Sequence, residues 1–171
     1  MVSSSLLSSS YAWATFLHFV AVGAFLLMHG PSVFVIFRIR TERDPVRLKA
    51  LLELSALTIG GLHMAMLLLV ASGVWLAFLG DWWGSWWVWA SLVVLVAMWA
   101  IMQLLGSRHY DRLRGAVGAR MFYLKKGQAQ PPPESFPPLD TLLASRRPFV
   151  MLAVGLGGLL LLFALMTFKP A

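Results

Sequence analysis

The chain contains no cysteine. Disulfides, thiolate metal sites, iron–sulfur clusters and thiol nucleophiles are therefore excluded, while the compartment is left open. Charge is also scarce: only 12% of the 171 residues are Asp, Glu, Lys or Arg, about half of what a soluble globular domain carries. Acids are scarcer still, with 7 against 14 bases, and none lies inside an apolar run apart from Glu53 and Asp81 at the margins, which argues against a carboxylate proton relay. Internal repeats, phosphate-binding or dinucleotide glycine patterns and a hydrolase elbow are missing. Soluble-type catalysis has no candidate residues, and the reading leans away from an enzyme.

What is present is apolar surface. Hydrophobic residues make up 59% of the sequence, and the mean hydropathy is +0.76. A single domain of this size cannot bury that much and still coat itself with polar groups, so lipid is the solvent for most of it. Four runs, at residues 11–37, 54–79, 86–105 and 149–168, each reach the roughly 20 residues that a bilayer-spanning helix needs. The first has no base before it and is followed directly by Arg38 and Arg40, so it reads as a retained span rather than a cleaved signal. The expected fold is an all-α, four-helix transmembrane bundle forming one integral membrane domain.

Bases set the expected sidedness. Arg38, Arg40, Arg43, Arg47 and Lys49 fall between spans one and two. Eight more, from Arg108 to Arg147, fall between spans three and four, leaving only Lys169 elsewhere. The positive-inside rule puts both basic loops in the cytoplasm of an inner-membrane protein, against anionic headgroups, with both termini outside. This explains the net charge of +7 without nucleic acid as a partner. On the other side, Gly80 to Trp87 holds four tryptophans, an expected indole belt at headgroup level. Within the 108–148 loop, residues 108–126 mix bases with Leu113, Val117, Met121, Phe122 and Leu124, as suits an amphipathic helix in the inner interface. Residues 127–140, interrupted by Pro131–Pro133 and Pro137–Pro138, read as an extended linker.

Ionisable residues in lipid are costly and tend to face a bundle interior, which singles out His18, His29 and His63. His18 and His29 are eleven residues apart and so point within about 20° of each other, with Thr15 and Ser32 near the same stripe. His63 is an isolated polar point on an aliphatic stripe and is expected to find a partner on another helix. Counted from the basic loop, His29 and His63 both lie about 12 to 14 Å into the membrane. Levelled histidines on neighbouring helices can hold one cofactor between them. Met98 and Gly157–Gly158 reach about that depth, and Gly30, Gly60 and Gly61 leave further room. His18 is level with Ser72 and Gly73, which makes it either a structural hydrogen bonder or a lone ligand. Pro31 is expected to kink span one, and His109 reads as a solvated interfacial residue.

Two imidazoles suit haem b, with Arg38, Arg40 and Arg108 placed to pair its propionates, and electron transfer as the expected role. Such a protein would meet a membrane redox partner or quinone. The alternatives are copper or small-solute handling through His29, His63, His18 and Met98, and a structural subunit with no cofactor. Gly155, Gly157 and Gly158 offer a small-residue surface for close packing within the chain or to a second copy.

The run Phe16 to Gly23, the loop Arg43-Asp44-Pro45 and the later Ser72-Gly73-Val74-Trp75-Leu76 together resemble a family of small uncharacterised integral membrane proteins related to the membrane domain of copper-resistance protein D. That resemblance covers spans one to three and implies a four-helix fold without an established activity. A remoter likeness, through Leu17-His18, is to the haem-binding membrane protoporphyrinogen oxidases, and it implies His18 as the matching position. Their Tyr-Leu-Pro-Arg-Leu continuation is replaced here by His29-Gly30-Pro31-Ser32, so the oxidase activity is not carried over.

Overall fold

The computed structural model describes residues 4–170; the chain ends, on which the expected placement of both termini rests, lie outside the described residues. Helix α1 spans Ser4–Arg38, α2 Pro45–Leu79, α3 Trp86–Ala116, α4 Leu139–Leu143 and α5 Arg147–Phe168, with a 3₁₀ turn at Pro133–Ser135. Four of the helical stretches are long and apolar enough to cross a membrane. Large apolar side chains such as Leu57, Leu104 and Phe168 stand about four-fifths exposed on their outer faces, the inverse of a water-soluble bundle and the expected surface of a multi-pass membrane protein.

The bundle is built as two antiparallel hairpins, α1 against α2 and α3 against α5, which meet each other only sparsely. In the first hairpin, the residues of α1 that face α2 (Ala14, His18, Ala21, Met28, Ser32, Val35) recur at alternating steps of three and four or their sum, the spacing that keeps one seam on a partner helix. Polar pairs bridge that seam. Ser32 Oγ lies 3.0 Å from Thr58 Oγ1 and accepts from Ser55 Oγ at 3.2 Å, while His18 Nδ1 lies 3.0 Å from Ser72 Oγ. Such bonds hold helices together where lipid gives no hydrophobic incentive to pair.

Methionine–glycine sockets hold the second hairpin. A methyl group at Gly158 would fall 2.2 Å from the Met98 sulfur, and one at Gly155 or Gly106 would fall 3.0 Å from the terminal carbon of Met102 or Met151. Met28 seats against Gly61 in the first hairpin in the same way. Unbranched thioether chains fill such irregular gaps well. Gly157 has nothing near its missing methyl, so the small-residue surface of α5 is used within the chain at Gly155 and Gly158 and left open at Gly157.

The two hairpins are bolted at their ends. At the basic end, Val35, Ile39, Leu48, Leu52 and Leu113 form one core with Leu142 and Leu143. At the tryptophan end, Ala77 packs with Trp87, Val88 and Leu165. Two expectations about the basic end need correction. Residues 108–116 are a direct continuation of α3, and residues 117–126 form turns, so there is no separate amphipathic helix. The proline-rich segment does more than tether: Phe136 covers Gly115, and the short α4 delivers Leu142 and Leu143 into the core. Hydropathy reports the lipid boundary and says little about where a helix stops once it leaves lipid.

The turn between α1 and α2 is organised by acids. Asp44 caps α2 by accepting from Val46 N at 2.9 Å, with Pro45 in the first helical position. Glu42 accepts from the backbone N–H groups of Arg43 and Asp44 at 3.0 and 3.2 Å and pairs with Arg38 at 3.3 Å. The bonds from Asp44 N and Arg43 N, followed by the charges of Arg38 and Arg47, hold the Glu42 carboxyl below its ordinary value of 4.5. A depressed carboxyl stabilises the fold above its unfolded pKa and loses that contribution as pH falls through its folded pKa. Thermal unfolding temperature in detergent should therefore drop as pH is lowered below 4.5, and Glu42→Gln should flatten part of that slope. An unchanged pH profile in the variant would contradict it.

Candidate functional site: the basic-end cavity

Between its bolted ends the cleft separating the hairpins opens into two cavities. The larger, about 670 Å³, lies toward the basic end and is walled by α1, α2, α3, the 117–126 segment and Met151 of α5. That volume falls in the middle of the range for small-molecule and cofactor sites.

His63 projects from α2 onto this wall. Its Nδ1 lies 2.8 Å from the Ile59 carbonyl one turn earlier. The expected partner on another helix is thus replaced by one on its own, because a carbonyl four residues back is within reach of an imidazole. With Nδ1–H donating to that carbonyl, Nε2 carries the lone pair, the arrangement that orients a histidine toward a ligand.

Opposite it, α3 supplies Gln103, Tyr110, Asp111 and Arg114. Asp111 is buried and accepts from Phe122 N at 2.7 Å and Tyr123 N at 3.2 Å, so it pins the segment that closes the cavity. Arg114, also buried, donates from Nη1 to the Leu52 carbonyl at 2.8 Å and from Nε to the Arg120 carbonyl, and its guanidinium lies 4.4 Å from the centre of the Phe122 ring. Tyr123 Oη reaches Gln103 at 3.4 Å. The Tyr110 hydroxyl is buried on the wall with no hydrogen-bond partner, a state costly enough that a guest's acceptor or donor would be stabilised there.

The structure places the other expected site residues as follows. His29 is not on this wall; its ring stacks on Phe25 at 5.6 Å with 12° between planes, and its buried Nδ1 has no partner. It shares its helical direction with Ile36 on this cavity and Val22 on the other, and so stands between the two. Arg38 is engaged with Thr41 and Glu42, and Arg40 with the Ser145 carbonyl and the Phe149 ring. Neither lines the cavity, nor does Arg108. Met98 is seated in its glycine socket, whereas Met102 and Met151 reach the wall with His63. His18 is bonded through Nδ1 to the levelled Ser72 and packs on Gly73. His109 meets the Tyr110 ring edge-on at 5.2 Å. Among the described residues, no three His, Cys, Asp or Glu side chains gather at a metal-binding distance.

Comparison with protein-family models, with curated proteins and with solved structures gives no match. The residues on the wall are therefore what a functional reading has to rest on. Sequence reasoning missed Gln103, Tyr110, Asp111 and Arg114. The available signal is an acid and a base three apart at the end of an apolar helix, about two turns past a lone glutamine.

Proposed function

We propose that this multi-pass membrane protein holds a flat amphiphilic redox cofactor, of the haem b or quinone class, in the basic-end cavity and passes electrons through it. The observation that supports this reading is His63, its Nε2 freed by the Ile59 carbonyl, on the wall of a cavity of about 670 Å³. His63 would contact the cofactor's metal or carbonyl, and Arg114 and Tyr110 would receive its polar groups, in place of the three arginines favoured by sequence. When bound, the group supplies the one-electron chemistry that the side chains lack. By the positive-inside rule the basic end would face the cytoplasm, and the cell's inner membrane is the proposed location.

The test is to purify the full chain in mild detergent, record oxidised and reduced visible spectra, extract quinones and measure metals. The expected result is a chromophore or quinone near one per chain in the wild type, reduced at least about tenfold in His63→Ala, the loss equivalent to one good ligand contact. A preparation free of both would overturn the reading. Copper at stoichiometry would favour the second reading, metal handling by His63 with Met102 and Met151 on the same wall.

A further inference from the structure

The smaller cavity, about 300 Å³, lies at the tryptophan end of the same cleft and shares no lining residue with the larger one. Deep in it the wall is apolar, with Val22, Leu69, Leu95 and Phe163. Three polar groups on this wall are already engaged inside the protein: His18 by Ser72, Ser91 by the Trp87 carbonyl, Thr15 by the Tyr11 carbonyl.

Two donors on this wall stand out. Trp83 Nε1 is buried without an acceptor. Lys169, held in a left-handed cap just past the end of α5, places its Nζ 4.0 Å from the centre of the Trp82 ring and forms no ion pair among the described residues. No Asp or Glu lies on the wall. An apolar channel ending in an ammonium and an indole N–H has one chemical complement, an anionic acceptor on a hydrocarbon chain.

We infer that the tryptophan-end cavity binds one acyl chain of an amphiphile with an anionic head, the head on Lys169 and Trp83 and the chain among Val22, Leu69, Leu95 and Phe163. The tryptophans around it then serve as the collar of a lipid site as well as an interfacial anchor.

The full chain in nanodiscs of neutral phosphatidylcholine, titrated with a nitroxide-labelled fatty acid and separately with its methyl ester, tests this by quenching of tryptophan fluorescence. The acid should quench saturably and bind at least about tenfold more tightly than the ester. Lys169→Gln should abolish that preference and Lys169→Arg should retain it, with helical circular dichroism unchanged in both. Trp83→Phe should weaken the acid without affecting the ester. Equal quenching by acid and ester in the wild type, or a preference that survives Lys169→Gln, would overturn the inference. Including anionic phosphatidylglycerol in the disc separates the sources: displacement of the acid assigns the site to an acyl chain of the bilayer's own phospholipid, and no displacement assigns it to a free acid.

Discussion

Replacing Asp111 by alanine should lower the stability of the protein by about 3 kcal/mol, the sum of two charge-assisted hydrogen bonds at about 1.5 kcal/mol each. The carboxylate is buried and accepts from the backbone of both Phe122 and Tyr123. Among the described residues no other acid accepts from those N–H groups, and the neighbouring Arg114 would lose the negative charge that acts most strongly on its guanidinium. Denaturant titration in mixed micelles would measure the loss, and protease sensitivity between residues 117 and 126 would report where it acts. Asn at 111 should recover about half, since its single carbonyl oxygen can accept but its amide cannot. A change within about 0.5 kcal/mol, the ordinary range for a surface substitution, would mean that the segment is held some other way.

The second large effect belongs to Gly158. Its Cβ position is 2.2 Å from Met98 Sδ, 2.6 Å from Cγ and 2.9 Å from Cε, so the obstacle is most of the side chain and not only its flexible tip. Gly158→Ala should cost about 2 kcal/mol by overpacking, whereas Gly157→Ala, with nothing within 4 Å, should be neutral or slightly stabilising through helix propensity. Shortening the opposing side chain supplies the internal control. In the double variant Met98→Ala/Gly158→Ala the penalty should be smaller than the sum of the single changes by about 1 kcal/mol or more, as expected for residues in direct contact. Equal melting temperatures for the variants at 157 and 158 would contradict the socket geometry.

These two positions illustrate what a sequence of this kind exposes. The existence of four spans was legible because lipid demands uninterrupted apolar runs, and depth along each span was legible because an α-helix has a fixed rise. Counting alone levelled His18 with Ser72 and Met98 with Gly158, and both pairs are in contact. Direction was harder. A helix bathed in lipid is apolar all round, so its pattern hardly marks which side meets protein, and nothing in the string showed that His63 lies on a cavity wall while His29 turns against Phe25. The basic end was least legible. There the segment leaves lipid, and its contacts join residues far apart in sequence, such as Arg114 to Leu52 and Phe136 to Gly115.

Every tight interface in the bundle joins a transmembrane helix to the next one in the chain, while the cleft between hairpins is closed only at its two rims. Each hairpin can thus leave the insertion machinery already zipped, and the seam between them is the last surface to form. A seam of that kind faces the bilayer along its length, and the substitutions that widen or narrow it will lie on the inner faces of α1, α2, α3 and α5, far from either polar end.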